Sequence, residues 1–280
     1  MIRMKQLVMI AMVALLLPLA SFADTKITAI TMSAKTSAAT THTRALNDAI
    51  DGSLYKSANC EDSFSKLRHT PNSVFVFNRS MEFAARNKGL ACMLADLKDV
   101  TVLYTGKVYF RLCRIPGTDI SLTPGKPEFT IGMPSMYSTK KHQATYNSKG
   151  VNLKMIPYSG AKSALKGMYA GDVQASWLSM GLAAKQKDRI ECFADTDPAS
   201  AEYIGNQIDL PVPEFNIHFV TLTNSKDPAV LAKLKGLRNH KGFNAFLVKS
   251  YNKGTFDVTD ADLVEATAYI TKMEDNWADK

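Results

Sequence analysis

The chain has 280 residues, enough for one large or two medium domains with well-formed cores. Its 34 Lys and Arg against 26 Asp and Glu give a formal charge of +8, a balance that favours anionic ligands, nucleic acid or a membrane surface. The basic residues are scattered, however, and the longest pure run is Lys140–Lys141, which argues against a nucleic-acid partner.

The amino terminus reads as an export signal. Arg3 and Lys5 precede an almost wholly apolar run from Leu7 to Leu17, Pro18 breaks it, and Ser21-Phe22-Ala23 offers small residues to a signal peptidase. Residues 1–23 are therefore predicted to be removed, which takes two positive charges with them. The apolar run is shorter than the roughly 20 residues of a membrane-spanning helix. The expected location is periplasmic, with no later segment long and apolar enough to span a bilayer. Cys60, Cys92, Cys113 and Cys192 form an even set that permits two disulfides, with all three pairings open. A bridge between Cys113 and Cys192, if it joined two lobes, would tie their closure to redox state.

Short apolar strands then alternate with amphipathic helices, the pattern of an α/β protein. Ile27 to Met32 is a predicted strand, and a Ser/Thr/Ala loop leads to a helix starting near Thr40 or Thr41, with Ala45, Leu46, Ala49 and Ile50 on one face. Val74 to Phe77 is a second strand, and Val100 to Cys113 holds a longer extended run. Pro116-Gly117 and Leu122-Thr123-Pro124-Gly125 interrupt the pattern and mark the expected crossing between lobes. A second series follows: strands at Phe129–Gly132, Val151–Ile156, Val173–Trp177 and Ile190–Phe193, with helices opening at Ser138-Thr139 and after Tyr158-Ser159-Gly160. In the latter helix Ala164, Leu165, Met168 and Tyr169 point inward. Ile217 to Leu222 is a strand. Asp227-Pro228 starts a helix with Val230, Leu231, Leu234 and Leu237 as its buried stripe. Thr259 caps a last helix carrying Leu263, Ala266, Ile270, Met273 and Trp277.

Motifs for chemistry are sparse. The glycine-rich nucleotide loops, the His-Glu-x-x-His zinc helix and the Gly-x-Ser-x-Gly elbow are all absent. His42, His69, His142, His218 and His240 are widely spaced and read as surface or helix histidines, so neither a metal nor a cofactor is expected. Ser159 with Lys162 fits the Ser-x-x-Lys pattern of a serine activated by a lysine one turn away. Ser57-Ala58-Asn59 and Lys35-Thr36-Ser37 imitate the accessory motifs of such enzymes, but both precede the serine that should come first. Two further Ser-x-x-Lys matches, at Ser138 and Ser163, show how cheaply the pattern arises here. A non-enzyme is expected.

The loops at strand-to-helix junctions are more telling. Residues 33–41, 136–141 and 158–163 are rich in small and hydroxylic residues. A helix start exposes unpaired N–H groups and the positive end of its dipole, a natural anion seat. In open α/β sheets such loops lie at the carboxyl ends of strands, where ligands bind.

At these residues the chain resembles the extracytoplasmic receptors of tripartite tricarboxylate transporters, also called Bug-type solute receptors. The likeness rests on Ser138-Thr139, Met155-Ile156-Pro157-Tyr158-Ser159-Gly160-Ala161, Ala164-Leu165 and Ala170-Gly171-Asp172-Val173-Gln174, in family order and spacing. Pro-Tyr-x-Gly is its most specific part. Ala38 to Arg44 and Phe219 to Leu237 match more weakly, and residues 53–98 hardly at all. The resemblance implies an α/β, two-lobed, type II-like flytrap with crossing strands. Lobe 1 is expected at 24–114 plus 218–280 and lobe 2 at 115–217. It implies a receptor that captures a small organic carboxylate and hands it to transporter membrane subunits, acting as a monomer. An ABC-type receptor for another small anion is the alternative of the same fold, a Ser/Lys hydrolase the alternative of another class. Carried over by position, the ligand contacts are Ala34, Lys35, Thr36, Ser37, Ala38 and Thr40 in the first lobe, and Ser138, Thr139, Tyr158, Ser159, Gly160 and Ala161 in the second. Lys140 and Lys141 could add charge. Thr36-Ser37 stands where the family has a Gly-Gly pair, Thr40 and Gln174 replace aspartates, and Lys141 replaces a histidine. Each change removes an acid or adds a donor or cation, which implies a more anionic or differently shaped ligand.

Overall fold

A computed structural model describes residues 26–32, 38–79, 92, 97, 99–134, 139–207, 216–259 and 261–262. The predicted signal segment, the loop residues 33–37 and 135–138, and the final helix beyond Asp262 lie outside these residues.

The chain forms two sheets. The first has six strands in the order β11-β4-β10-β3-β1-β2, and the second has five in the order β7-β6-β8-β5-β9. In the first lobe, β1 (Thr28–Met32), α1 (Ala38–Ile50), β2 (Ser53–Ser57), α2 (Cys60–His69) and β3 (Ser73–Asn78) form a parallel series. β4 (Thr101–Val108) follows, and after a long excursion β10 (Ile217–Thr223), α7 (Pro228–Lys235), α8 (Lys241–Lys249) and β11 (Asn252–Thr255) complete the lobe. The second lobe contains β5 (Phe110–Arg114), β6 (Phe129–Met133), α3 (Thr139–Ser148), β7 (Leu153–Pro157), α4 (Ala161–Ala170), β8 (Ala175–Ser179), α5 (Met180–Lys185), β9 (Glu191–Asp195) and α6 (Ile204–Gln207).

Each sheet is covered on both faces, as parallel strands require. One face of the first sheet packs Ala29, Val74, Val76 and Phe219 against Leu46 and Ile50 of α1, Val230 and Leu234 of α7 and Phe243 and Leu247 of α8. The other packs Ile30, Phe75, Phe77, Val220 and Leu222 against Phe64 and Leu67 of α2. In the second lobe, Trp177, Ile131 and Met155 meet Tyr146 of α3 on one side. Leu178 and Val173 meet Leu165 and Met168 of α4 on the other. A ten-residue helix such as α4 is too short to be stable alone. Burying Leu165 and Met168, each worth about 1.5–3 kcal/mol, is what holds it in place. The helix start expected at Asp227-Pro228 is present: the Asp227 carboxylate accepts from the Ala229 N–H at 2.8 Å.

The crossing differs from the sequence expectation. β4 ends at Val108 and β5 starts at Phe110, so the first crossing between the two sheets is the single residue Tyr109. Residues 115–125 form a loop inside the second lobe, where Ile120 and Leu122 join the core. The chain thus changes sheets before the expected boundary at 114, and β5, placed in lobe 1 from sequence, pairs with β8 and β9 of lobe 2. The return runs between β9 and β10. Beside it the Phe110 N–H donates to Thr196 Oγ1 at 2.9 Å and the Thr196 N–H donates to the Phe110 carbonyl at 3.0 Å, extending the β5–β9 ladder, and Thr196 Oγ1 donates to Asn216 Oδ1, just before β10.

The disulfides are Cys60–Cys92 in the first lobe and Cys113–Cys192 in the second. Cys113 and Cys192 are register partners on neighbouring strands β5 and β9. The inter-lobe bridge considered from sequence is therefore a bridge within one sheet, because β5 belongs to the second lobe.

Strand polarity decides which edges meet. β4 runs against β10 and β10 against β3, so β4 ends on the same edge as β1 and β3. β5 runs against β8, which is parallel to β6 and β7, so β5 begins at their carboxyl edge. The single residue Tyr109 consequently sets the carboxyl edges of both sheets opposite one another.

Candidate functional site

The best-defined loop at these carboxyl edges belongs to the second lobe. β7 ends at Pro157, and the Tyr158 N–H donates to the Met133 carbonyl at 2.8 Å, pinning the loop to β6. The chain then turns through Ser159 and Gly160 into α4, whose first turn has no side-chain cap. The N–H groups of this turn are left for water or a ligand. A side chain added at Gly160 would meet nothing within 4 Å, so the approach to the helix start is open. Ser159 is exposed, and Gly160 and Ala161 are half-buried.

The two side chains of this loop have local partners. Ser159 Oγ lies 3.1 Å from Ser163 Oγ, and Ser163 Oγ donates to the Gly160 carbonyl at 2.8 Å. Lys162, which a Ser/Lys hydrolase would need at the serine, is exposed. The Tyr158 ring lies across Gly132 and Gly167, where a Cβ at Gly167 would collide with the hydroxyl. Desolvation, helped by the charge of Asp172, raises the pKa of that hydroxyl above its ordinary value. The ring therefore braces the loop against β6 and α4.

Thr139 is the first residue of α3. Ser138 lies outside the described residues, as do the side chains of Lys140 and Lys141. In the first lobe Ala34, Lys35, Thr36 and Ser37 lie outside them too. Ala38 opens α1 and is exposed, whereas Thr40 is 3% exposed and its Oγ1 accepts from Thr31 Oγ1 at 3.0 Å. Thr40 thus fastens α1 to β1 inside the lobe. The described residues place 158–161 at the carboxyl edge of the second sheet, between β7 and α4, and Ala38 at the carboxyl edge of the first, where α1 begins.

Sequence reasoning missed basic residues on the first lobe's edge. Arg79 directly follows β3 and His218 lies in β10; they are 4% and 3% exposed. His218, read as a surface or helix histidine, is a buried strand residue. Burial, then the charges of Lys107 and Arg79, lower its pKa from 6.5 to about 3. Beside the crossing, Lys253 of β11 forms an ion pair with Asp197 of the second lobe, and its ammonium lies 5.8 Å from the centre of the Tyr109 ring. Among the described residues no group of three or more His, Cys, Asp or Glu side chains could hold a metal, and no helix is long and apolar enough to cross a membrane.

No protein-family model and no curated protein sequence matches the chain. Solved structures do match. A TctC solute-binding protein from Polaromonas, without ligand, is 14% identical, with 89% of this chain and 98% of that one covered and a TM-score of 0.60. MatC from Rhodopseudomonas palustris, with bound malate, is 13% identical over 90% of this chain and 98% of that one, at a TM-score of 0.59. A further R. palustris protein, with adipate, is 13% identical over 90% and 95%, at 0.61. The likeness at this identity is one of fold, and it spans both lobes: the architecture is that of the two-lobed periplasmic solute-binding proteins.

Proposed function

We propose that the protein is an extracytoplasmic solute-binding receptor that captures a small organic carboxylate in the cleft between its lobes and delivers it to a membrane transporter. The observation that carries this reading is the uncapped start of α4 at Gly160–Ala161, open to the cleft on a fold shared with proteins that hold malate and adipate. A carboxylate seated there accepts from first-turn N–H groups and sits at the positive end of the helix dipole.

Residues 34–38 of the first lobe and Ser138 and Thr139 of the second complete the contacts. Thr40 and the Tyr158 ring act behind them, holding α1 and the 158–160 loop in place. Contacts from both lobes exist together only in the closed form. The ligand therefore shifts the open–closed balance by its differential affinity for that form. The two disulfides and the predicted signal segment fit an oxidising, periplasmic compartment.

Calorimetric titration of the purified protein with malate, adipate and citrate tests the reading. One-to-one binding of at least one of these is expected, and Gly160→Pro, which distorts the loop and removes an N–H, weakens it about tenfold or more. If none of the carboxylates binds, the reading fails.

A further inference from the structure

The positive charge of the protein is not spread evenly over the fold. Residues 226–253, which form α7, a 3-10 turn at Gly236–Asn239, α8 and the start of β11, hold seven Lys and Arg against one acid, Asp227. With Arg3 and Lys5 of the predicted signal set aside, the rest of the chain holds equal numbers of basic and acidic residues. The net charge therefore resides in this one layer, although no run of basic residues marks it in the sequence.

Packing turns that charge outward. In α8, Phe243 and Leu247 are buried against the first sheet, and Lys241, Ala245, Val248 and Lys249 share the opposite, exposed face. In α7, Val230 and Leu234 are buried, and Lys233 and Lys235 are exposed. Three basic residues of the segment have partners. The Lys226 ammonium donates to the Asp99 carbonyl at 2.8 Å, Arg238 pairs with Asp257 at 2.8 Å, and Lys253 pairs with Asp197. Lys233, Lys235, Lys241 and Lys249 meet no carboxylate among the described residues. Val248, beside Lys249, is 77% exposed, and Tyr251, three residues on, is 39% exposed. With Leu54 of β2, these are the large apolar side chains left exposed among the described residues, so two of the three stand in the basic layer.

This composition fits an anionic lipid surface better than an acidic protein. A protein carboxylate is held best by the fork of a guanidinium, whereas the four cations left over here are all lysines, point charges suited to a diffuse layer of phosphates. Lysine stems lie along apolar surface while their ammonium groups stay in water, and an apolar side chain among them finds partners at the boundary between headgroups and acyl chains. We propose that the outer face of α7 and α8 is a docking surface for an anionic phospholipid bilayer. The four lysines lie over the headgroups, and Val248 and Tyr251 are set into the boundary beneath them. α7 and α8 cover a face of the first sheet, while the residues proposed to hold ligand lie in loops at the carboxyl edges, so docking uses none of the ligand contacts.

The test is co-sedimentation of the purified protein with vesicles of phosphatidylcholine carrying about 30 mol% phosphatidylglycerol, against vesicles of phosphatidylcholine alone. The protein should sediment with the anionic vesicles only, and less so as salt rises from about 50 to about 300 mM. Lys241→Gln/Lys249→Gln should weaken partitioning about 25-fold, or about fivefold per lysine. Val248→Ser keeps every charge and should weaken it about threefold or more. Lys154→Gln/Lys187→Gln removes the same charge from exposed positions of the second lobe and should leave partitioning within about twofold. All five positions are exposed, so the variants keep the fold. No sedimentation with anionic vesicles at about 1 mM lipid would overturn the proposal and leave an acidic protein as the occupant of this face. An equal loss in the second-lobe variant, or unchanged partitioning in both α8 variants, would also overturn it. None of these readouts needs a carboxylate to bind, so failure of the receptor reading and failure of this surface are told apart.

Discussion

His42 is enclosed by the rings of Tyr104, Phe219, Phe243 and Phe246, at centroid distances of 5.4 to 5.8 Å. Its Nδ1 lies 3.1 Å from the Asn252 amide nitrogen, and Asn252 Oδ1 accepts from the Tyr104 hydroxyl at 2.9 Å. That chain of bonds makes Nδ1 the acceptor and leaves the ring proton on Nε2. Complete burial lowers the His42 pKa from 6.5 to about 3, the same direction and value as for His218. Unfolded histidines take up a proton below about pH 6.5, while these two stay neutral in the folded protein until about pH 3. Stability is therefore full above pH 6.5 and falls as pH drops through that window, by up to about 1.4 kcal/mol per pH unit for each histidine. Urea unfolding between about pH 7 and pH 4.5 should show this loss, and His42→Gln should make the slope shallower. An identical slope in that variant would remove His42 from the explanation. Tyr104→Phe leaves Asn252 Oδ1 buried without its donor and should cost about 1–3 kcal/mol at pH 7.

Gly167 lies in α4, under the Tyr158 ring, and carries the brace of the 158–160 loop. Gly167→Ala drives a methyl into the Tyr158 hydroxyl. Overpacking of this kind should destabilise by about 1–3 kcal/mol and weaken carboxylate binding through the displaced loop. Denaturation and titration of the same variant check both effects, and a variant that unfolds more easily yet binds unchanged would separate the brace from the site. α4 and β1 were legible in sequence because apolar period and turn chemistry agree there. The edge strand β2 was not: its burial alternates only partially, and Lys56 and Tyr55 give it no apolar run. Ser57-Ala58-Asn59 looked like an enzyme motif, but Ser57 Oγ donates to the Thr31 carbonyl and Asn59 caps α2. The crossing was misplaced because Pro116-Gly117 is strong local punctuation. The true crossing is an unbroken extended run whose sheet changes at Tyr109, and no local signal marks that change. The candidate site was legible as loops but not as side chains. The donors proposed for it are backbone N–H groups, which every residue type but proline carries, and Thr40 is held inside the lobe by Thr31, nine residues earlier.

Taken as a whole, the molecule is two sheets joined by a one-residue crossing at Tyr109 and by the return from β9 to β10, with Thr196 bonded to Asn216 and Asp197 paired with Lys253 beside them. Each disulfide lies inside one lobe, so neither restrains the hinge. Replacing Cys113 and Cys192 by serine should cost the second lobe about 4–5 kcal/mol by loop-closure entropy while leaving ligand-driven closure intact. Thermal unfolding checks the first part and scattering with ligand the second. The central claim is that the lobes close around a carboxylate held between them. Small-angle X-ray scattering of the protein, free and saturated with whichever of malate, adipate or citrate binds in calorimetry, tests that claim most directly. The account predicts a smaller radius of gyration with ligand, reversed when the ligand is dialysed away. An unchanged radius at proven saturation would contradict it.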